Sequence, residues 1–74
     1  MRTKQLRLND PAQIRQRMSE FLGKQINIVL TDRTVMFGEL TKVNDSEIIL
    51  RNMRRENIKY PFQTISEVYL DTKV

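Results

Sequence analysis

The sequence predicts a mainly β fold in which an N-terminal α-helix precedes a five-stranded, strongly bent antiparallel barrel. Three observations predict this architecture. Apolar residues recur with a helical period only before residue 23, and from residue 25 onward they alternate with a period of two. The alternating segments are short and are separated by turn residues. One of them contains Gly38 in its middle, where a glycine permits a sharp bend or a close approach of backbone.

The helix is predicted over about residues 11–22 from its ends and its apolar stripe. Asp10 is a residue type that caps helix N-termini, and Pro11 suits the first helical position. Gly23 is a typical residue at which a helix stops. The residues between them that share one apolar face are Ile14, Met18, Phe21 and Leu22.

The remaining chain is divided into strands by its alternation and its turns. We predict strands over about residues 25–31, 34–43, 46–52, 57–62 and 65–70. The apolar residues Ile65, Val68 and Leu70 are spaced by three and then by two, which predicts a bend near Ser66. Five short antiparallel strands with a bent second strand are typical of a small barrel of the SH3-like or OB type. Such a sheet leaves open edges that pairing between subunits would satisfy.

Positive charge is concentrated at the N-terminus. The chain has a net charge of +4, and residues 1–18 contain five basic residues and one acidic residue, whereas the rest contains eight of each. We interpret residues 1–9 as a flexible or partly ordered basic arm and residues 10–74 as one domain. Repeated around a ring, this charge would attract phosphate groups to one face. The alternative is an arm that only keeps the protein soluble.

The composition disfavours enzyme and metal chemistry. The 74 residues include no cysteine and no histidine, which removes disulfides, zinc thiolates, the commonest metal ligand and the commonest general base. No glycine-rich phosphate loop is present either. We therefore expect no enzymatic activity, no cofactor and no bound metal. A domain of this size without covalent or metal cross-links usually needs a partner, so we expect a homo-oligomer.

The sequence also indicates where in the cell the protein is located. No apolar run approaches the roughly 20 residues that span a bilayer. The basic N-terminal segment is not followed by the apolar stretch of a secretory signal. We expect a cytoplasmic protein that does not bind membranes.

The segment from Leu30 to Asn44, LTDRTVMFGELTKVN, resembles the first signature of the Sm-like family. The signature has a glycine, a hydrophobic residue two positions later, another three positions after that, and then Asp or Asn. Those places are filled by Gly38, Leu40, Val43 and Asn44. The following Ile48–Asn52 is similar to the third strand of bacterial Hfq, and the helix before the first strand also fits. The resemblance covers residues 10–71 and is closest to Hfq-type proteins.

The second signature departs from the family pattern. Pro61, Phe62 and Gln63 stand where Hfq has Tyr-Lys-His. Ser46 and Val29 stand where Hfq has aromatic residues that stack on bases. The resemblance therefore implies the fold, and it does not carry over the uridine or adenine preference of the family.

By resemblance, two turns line the pore of a ring and contact single-stranded RNA. The pore candidates are Asn44, Asp45, Phe62 and Gln63. An Asn amide can donate to and accept from a base edge, and a phenyl ring can stack on any base. The alternatives are an Asn that caps its own turn and a Phe that belongs to the core or to a subunit interface.

Basic residues are the candidates for phosphate contacts. Those on the arm and helix are Arg2, Lys4, Arg7, Arg15 and Arg17, and those around the loop after the third strand are Arg51, Arg54 and Arg55. They would position RNA without reading its sequence. The alternative for the loop cluster is an ordinary solvated surface.

Together these features indicate a ring of five to seven identical subunits, joined by edge-strand pairing, that binds single-stranded RNA as a chaperone or regulator. The alternative is a structural or protein-interaction ring without specific nucleic-acid binding. That alternative is favoured because the second signature lacks both the Lys-His of Hfq and the Arg-Gly pair that typical Sm proteins have there.

Overall fold

A computed structural model of the chain describes residues 3–73, with side chains described for residues 4–71. The strands are β1 (Thr3–Leu8), β2 (Gln25–Leu30), β3 (Val35–Val43), β4 (Glu47–Arg51), β5 (Asn57–Pro61) and β6 (Ile65–Lys73). Helix α1 covers Pro11–Arg17, and short 3-10 helices cover Met18–Phe21 and Phe62–Thr64. The strands form one antiparallel sheet in the order β1-β6-β2-β3-β4-β5.

The expected mainly β, antiparallel fold is confirmed, but the expected strand count of five is wrong. The segment that we interpreted as an arm contains β1, which pairs with β6 over six register positions. The helix therefore follows a strand and is not the first element. Leu8 explains the difference, because it is only 4% exposed and stands opposite Val68 in the core. Burying a leucine contributes about 1.5–3 kcal/mol, which favours an ordered strand.

The helix starts as predicted and ends differently. The Asp10 carboxylate accepts a hydrogen bond from the Ala12 N–H at 3.1 Å, and Pro11 occupies the first turn. Gly23 has a φ of +83°, a conformation that favours glycine. The last turn is a 3-10 helix, which advances about 120° per residue and rotates the apolar stripe. Leu22, expected on the buried face, is therefore 48% exposed.

Strand β3 connects two halves of the sheet. Its residues 35–39 pair with β2 and its residues 39–43 pair with β4, with a register shift between Leu40 and Lys42. Gly38 lies at this crossing, and a Cβ atom there would stand 2.8 Å from the Arg51 carbonyl oxygen. The backbones of β3 and β4 can approach this closely only because residue 38 has no side chain.

The bend predicted near Ser66 is a β-bulge. In the pairing of β2 with β6, Val29 stands opposite Glu67 and Leu30 stands opposite Ile65, so Ser66 is the extra residue. Its hydroxyl donates to the Val29 carbonyl oxygen at 3.0 Å. The bulge accounts for the uneven spacing of the apolar residues along β6.

The core is a single cluster to which every strand, helix α1 and both 3-10 helices contribute. Its members are Leu8, Ile14, Met18, Phe21, Ile26, Ile28, Leu40, Ile48, Leu50, Tyr60, Phe62, Ile65, Val68 and Leu70. No buried polar side-chain atom lacks a hydrogen-bond partner in the part of the chain that is described. Over the same residues, neither α1 nor a 3-10 helix has the length and apolarity that crossing a bilayer requires.

Candidate functional site

A pocket lies where α1 meets the turn between β3 and β4 and the connection between β5 and β6. It has a volume of about 360 Å³. Its lining residues are Arg15, Asp45, Ser46, Glu47, Pro61 and Gln63. Three sequence-predicted site residues, Arg15, Asp45 and Gln63, are thus brought together from positions far apart in the chain. The pocket is large enough for a nucleobase.

Arg15 connects the helix to both turns. Its Nη1 atom donates to the Asp45 carbonyl oxygen at 3.0 Å, and its Cζ atom lies 4.9 Å from the centre of the Phe62 ring. A guanidinium has five N–H donors, so most remain for other partners. The contacts hold a cationic group at the mouth of the pocket, where it can meet a phosphate or a base edge.

Asn44 caps the turn that it begins. Its Oδ1 atom accepts hydrogen bonds from the Ser46 N–H at 2.9 Å, the Glu47 N–H at 2.8 Å and the Ser46 hydroxyl at 3.2 Å. This is the turn-capping alternative considered for Asn44. The amide oxygen is occupied by its own turn, and the effect of Asn44 on the pocket is to fix the backbone of Asp45 and Ser46.

Phe62 lies in the core, with 6% of its surface exposed. Arg15 covers its ring, so the geometry matches the core alternative for this residue and leaves little area for stacking a base. Gln63, the next residue, is exposed and lines the pocket. The short 3-10 helix that both residues share directs one side chain inward and the next one outward.

The pocket combines one cation with hydrogen-bonding groups of both kinds. The carboxylates of Asp45 and Glu47 accept hydrogen bonds, and the Gln63 amide both donates and accepts. Such groups can bind the polar edge of a base. Within the described residues, no three His, Cys, Asp or Glu side chains lie close enough together to hold a metal ion.

Several candidate phosphate contacts are engaged in ion pairs. Arg7 pairs with Glu67 and covers the Tyr69 ring at 4.7 Å. Arg17 pairs with Glu20 at 3.4 Å within the helical segment. Neutralisation by a neighbouring carboxylate weakens the field that each of these arginines projects.

Arg51 is also paired, through Nη2 to Glu39 at 3.3 Å. Lys4 is exposed on β1. Arg2 lies outside the described residues. Of the N-terminal cations that are described, Arg15 is the one that lines the pocket.

Arg54 and Arg55 lie in the exposed loop between β4 and β5. Asn52 caps this loop, since its Oδ1 atom accepts from the N–H groups of Arg54 at 2.9 Å and Glu56 at 3.0 Å. Arg55 adopts a positive φ of 63°, which is uncommon for a residue other than glycine. Neither arginine side chain forms an ion pair with the described part of the chain. Their charge faces solvent away from the pocket.

Sequence reasoning missed part of the site and one further surface. Glu47 and Pro61 line the pocket, and only their places at strand ends beside the predicted turns could have indicated it. Phe37, on β3, is 44% exposed beside a smaller hollow of about 100 Å³. Its alternation with Val35, also exposed, marks the outer face of β3.

No family model, no curated protein and no solved structure matches this chain.

Proposed function

We propose that this protein is an Sm-like barrel subunit of a homo-oligomeric ring that binds single-stranded RNA. The antiparallel order of the sheet and the close approach at Gly38 support the barrel. The first Sm-like signature, Leu30–Asn44, falls on the end of β2, on β3 and on the turn after it. By resemblance, the ring has five to seven subunits and acts as an RNA chaperone or regulator in the cytoplasm, without a cofactor.

The observation that carries the proposal is the convergence of Arg15, Asp45 and Gln63 on one pocket. The Arg15 cation can contact a backbone phosphate and the Gln63 amide can hydrogen-bond a base. Because Asp45 and Glu47 give the lining one more carboxylate than cation, the phosphate would approach on the Arg15 side and the carboxylates would accept from base N–H groups. In a ring, one such pocket per subunit would present a repeated set of contacts to a single strand. Each contact is weak alone, and repetition raises the overall affinity.

The proposal is tested by fluorescence anisotropy with labelled oligo-U, oligo-A and mixed-sequence RNA at two salt concentrations. We expect binding that weakens as salt increases, because phosphate contacts release counterions. Arg15→Ala should weaken binding about tenfold, since a hydrogen bond to a charged group contributes about 1.5 kcal/mol. The matched control is Lys24→Ala, which removes one exposed charge from outside the pocket.

The outcomes separate three cases. A loss specific to Arg15→Ala supports the pocket. Equal, small losses in both variants, with no base preference, would support only a diffuse electrostatic attraction. No binding at low salt would contradict the RNA proposal.

Two observations favour the second candidate, a ring that lacks specific nucleic-acid binding. The Asn44 amide oxygen is occupied by its own turn, and the Phe62 ring is buried. Light scattering after size exclusion, with absorbance at 260 and 280 nm recorded on the same peak, distinguishes the candidates. An assembly of five to seven chains that carries no nucleic acid and binds none of the oligonucleotides would establish the second.

A further inference from the structure

Two edges of the described sheet have no strand partner. One is the outer side of β1 and the other is the outer side of β5. The edge of β6 opposite β2, which would otherwise be open, is occupied by β1 from the same chain. Any extension of the sheet by a second copy must therefore use β1 and β5, or must first displace β1.

Side chains on both faces hold β1 in place. On the inner face, Leu8 is buried in the core and Leu6 packs against it. On the outer face, Arg7 pairs with Glu67 and covers the ring of Tyr69. Displacing β1 would expose apolar surface and break the ion pair, so the geometry favours a β1 that stays on β6.

Hydrogen bonds at both ends of the β4·β5 pairing show which backbone groups of β5 are free. The Phe62 N–H donates to the Ser46 carbonyl at 3.0 Å, and the Asn52 N–H donates to the Glu56 carbonyl at 3.0 Å. Alternate residues of an antiparallel strand face the same neighbour. The backbone N–H and C=O groups of the even-numbered residues of β5 therefore point toward β4, and those of the odd-numbered residues point toward the open edge.

The open edge of β5 thus offers the N–H groups of Asn57 and Lys59. Pro61 has no N–H. Because the backbone groups of odd-numbered residues point toward the open edge, this missing N–H costs no hydrogen bond to β4. The edge retains two donors and the carbonyl oxygens of Asn57 and Lys59, since the Pro61 carbonyl oxygen already accepts from the Thr64 hydroxyl at 2.7 Å. This is enough to pair with a short strand such as β1.

We infer that β1 is the assembly strand of this protein, so that the outer edge of β5 in one copy pairs with the outer edge of β1 in the next. The inference rests on the proposed ring and specifies its interface. Because the two edges differ, the contact is head-to-tail, and a head-to-tail contact closes into a ring when the rotation between copies allows it. The partner of each edge is a second copy of this chain.

The first test locks β1 onto its own β6. The chain contains no cysteine, so the variant Gln5→Cys/Asp71→Cys introduces the only two thiols. These residues are exposed and stand opposite each other in the register. Cα atoms of opposite residues are about 4.5–5.5 Å apart, a separation that a disulfide spans. The oxidised and reduced forms are compared by light scattering and by non-reducing denaturing electrophoresis.

We expect the oxidised variant to run as single chains when denatured and to keep the wild-type assembly mass in solution. A locked variant that becomes monomeric, while its reduced form assembles, would overturn the inference and would identify β6 as the interface. Disulfides between chains would also overturn it, because β1 would then be exchanged between copies. A monomeric wild type would contradict the proposed ring itself, which is a separate result.

The second test concerns the opposite edge. Lys59→Pro deletes an N–H that faces the open edge and leaves the pairing with β4 intact, whereas Lys59→Ala removes only the charge. We expect Lys59→Pro to lose the assembly and Lys59→Ala to keep it, with circular dichroism confirming that both are folded. Assembly by a folded Lys59→Pro would overturn the role of β5.

Discussion

Two asparagine-capped turns flank β4, and they differ in what lies beside them. Asn44 caps the turn before β4 and Asn52 caps the loop after it, each through an Oδ1 atom that accepts from backbone N–H groups. Helix α1 covers the first turn, because Arg15 donates to the Asp45 carbonyl. The second loop is more open to solvent, since Met53 within it is 91% exposed.

Hydrogen bonds within a turn are therefore not sufficient to form a binding site. Both turns satisfy their backbone through one amide side chain. The first is bordered by the helix and the β5–β6 connection, and its pocket holds about 360 Å³. The second loop borders only a smaller hollow of about 100 Å³, where Asn52 lies with Gln25, Glu39 and the paired Arg51. The second displays Arg54 and Arg55 to solvent, where an exposed charge interacts weakly with its surroundings. The comparison yields four predictions, ordered by the size of the expected effect.

Gly38→Ala should affect the loop after β4 more than the turn before it. The new Cβ would stand 2.8 Å from the Arg51 carbonyl oxygen, so β4 must shift at its C-terminal end. We expect a loss of about 1–3 kcal/mol in the free energy of unfolding, measured in urea. Amide exchange at Arg54 and Glu56 should accelerate more than exchange at Ser46. Gly23→Ala is the comparison, because its Cβ would meet no atom within 4 Å and the strain there comes from a φ of +83°. Equal exchange changes at both turns would contradict this prediction.

Removing the caps should have different effects on RNA binding at the two turns. Asn44→Ala and Asn52→Ala should each reduce the free energy of unfolding by about 1 kcal/mol, since each leaves backbone N–H groups without an acceptor. Only Asn44→Ala should also weaken RNA binding, because it frees the backbone that Arg15 contacts. Asn44→Ser and Asn52→Ser keep a neutral oxygen acceptor at each turn and serve as controls, since an aspartate at residue 52 would stand against the Glu56 carboxylate that the Asn52 amide contacts at 3.2 Å. A binding loss of the same size in Asn52→Ala would remove the distinction between the two turns.

Backbone strain is present in the second loop, at Arg55, and Arg55→Gly should relieve it. Its φ of 63° is costly for a side chain with a Cβ and is accessible to glycine. Because glycine also gains freedom in the unfolded chain, we expect a net stabilisation of about 0.5 kcal/mol. Arg55→Ala removes the same charge and keeps the strain. Thermal unfolding that is equal for Arg55→Gly and Arg55→Ala would show that the strain is negligible.

A third turn, between β2 and β3, is capped by a carboxylate, so its contribution to stability depends on pH, unlike that of the two asparagine caps. Asp32 Oδ1 accepts from the Thr34 N–H at 3.0 Å, and this backbone hydrogen bond lowers the pKa of the carboxyl group below its ordinary value of 3.8. The contribution of Asp32 is therefore present above pH 3.8 and is lost as the pH falls through the lower, folded pKa.

The expected effect is small, because Asp32 is fully exposed to solvent. Acid unfolding of Asp32→Asn should show less pH dependence below pH 3.8 than the wild type. The caps at Asn44 and Asn52 do not titrate and should add no such dependence. An identical acid profile for the wild type and Asp32→Asn would exclude this contribution.

Local features were predictable where the signal lay within a few neighbouring residues. The cap at Asp10, the positive φ at Gly23 and the irregularity at Ser66 each follow from the residue itself and its immediate spacing. The same local view misassigned β1. Leu6 and Leu8 alternate with polar residues, but this pattern is only four residues long and is surrounded by positive charge. Its pairing partner β6 lies at the other end of the chain.

The candidate site was predictable as a set of residue types and not as an arrangement. Asp45 and Gln63 were expected to meet at a pore, and they share a pocket. Phe62, named with them, packs into the core. Arg15 was expected to be one phosphate contact among many, whereas its position above Phe62 sets it apart. Its partner in the Asp45 turn is 30 residues away, a separation over which side-chain periodicity carries no information.

The sequence by itself determined the start of α1 with its Asp10 cap, the five strands that follow the helix and the alternation of buried residues along most of them, because these depend on hydrophobic periodicity and on the conformational preferences of single residues. Only the tertiary structure decided that β1 completes the sheet, that Leu22 leaves the buried stripe, and that Arg15 meets Asp45 and Gln63. Those outcomes depend on strand register and on packing between distant segments. A shift of register by one residue turns every side chain of a strand to the opposite face, so contacts between segments follow from the assembled fold alone.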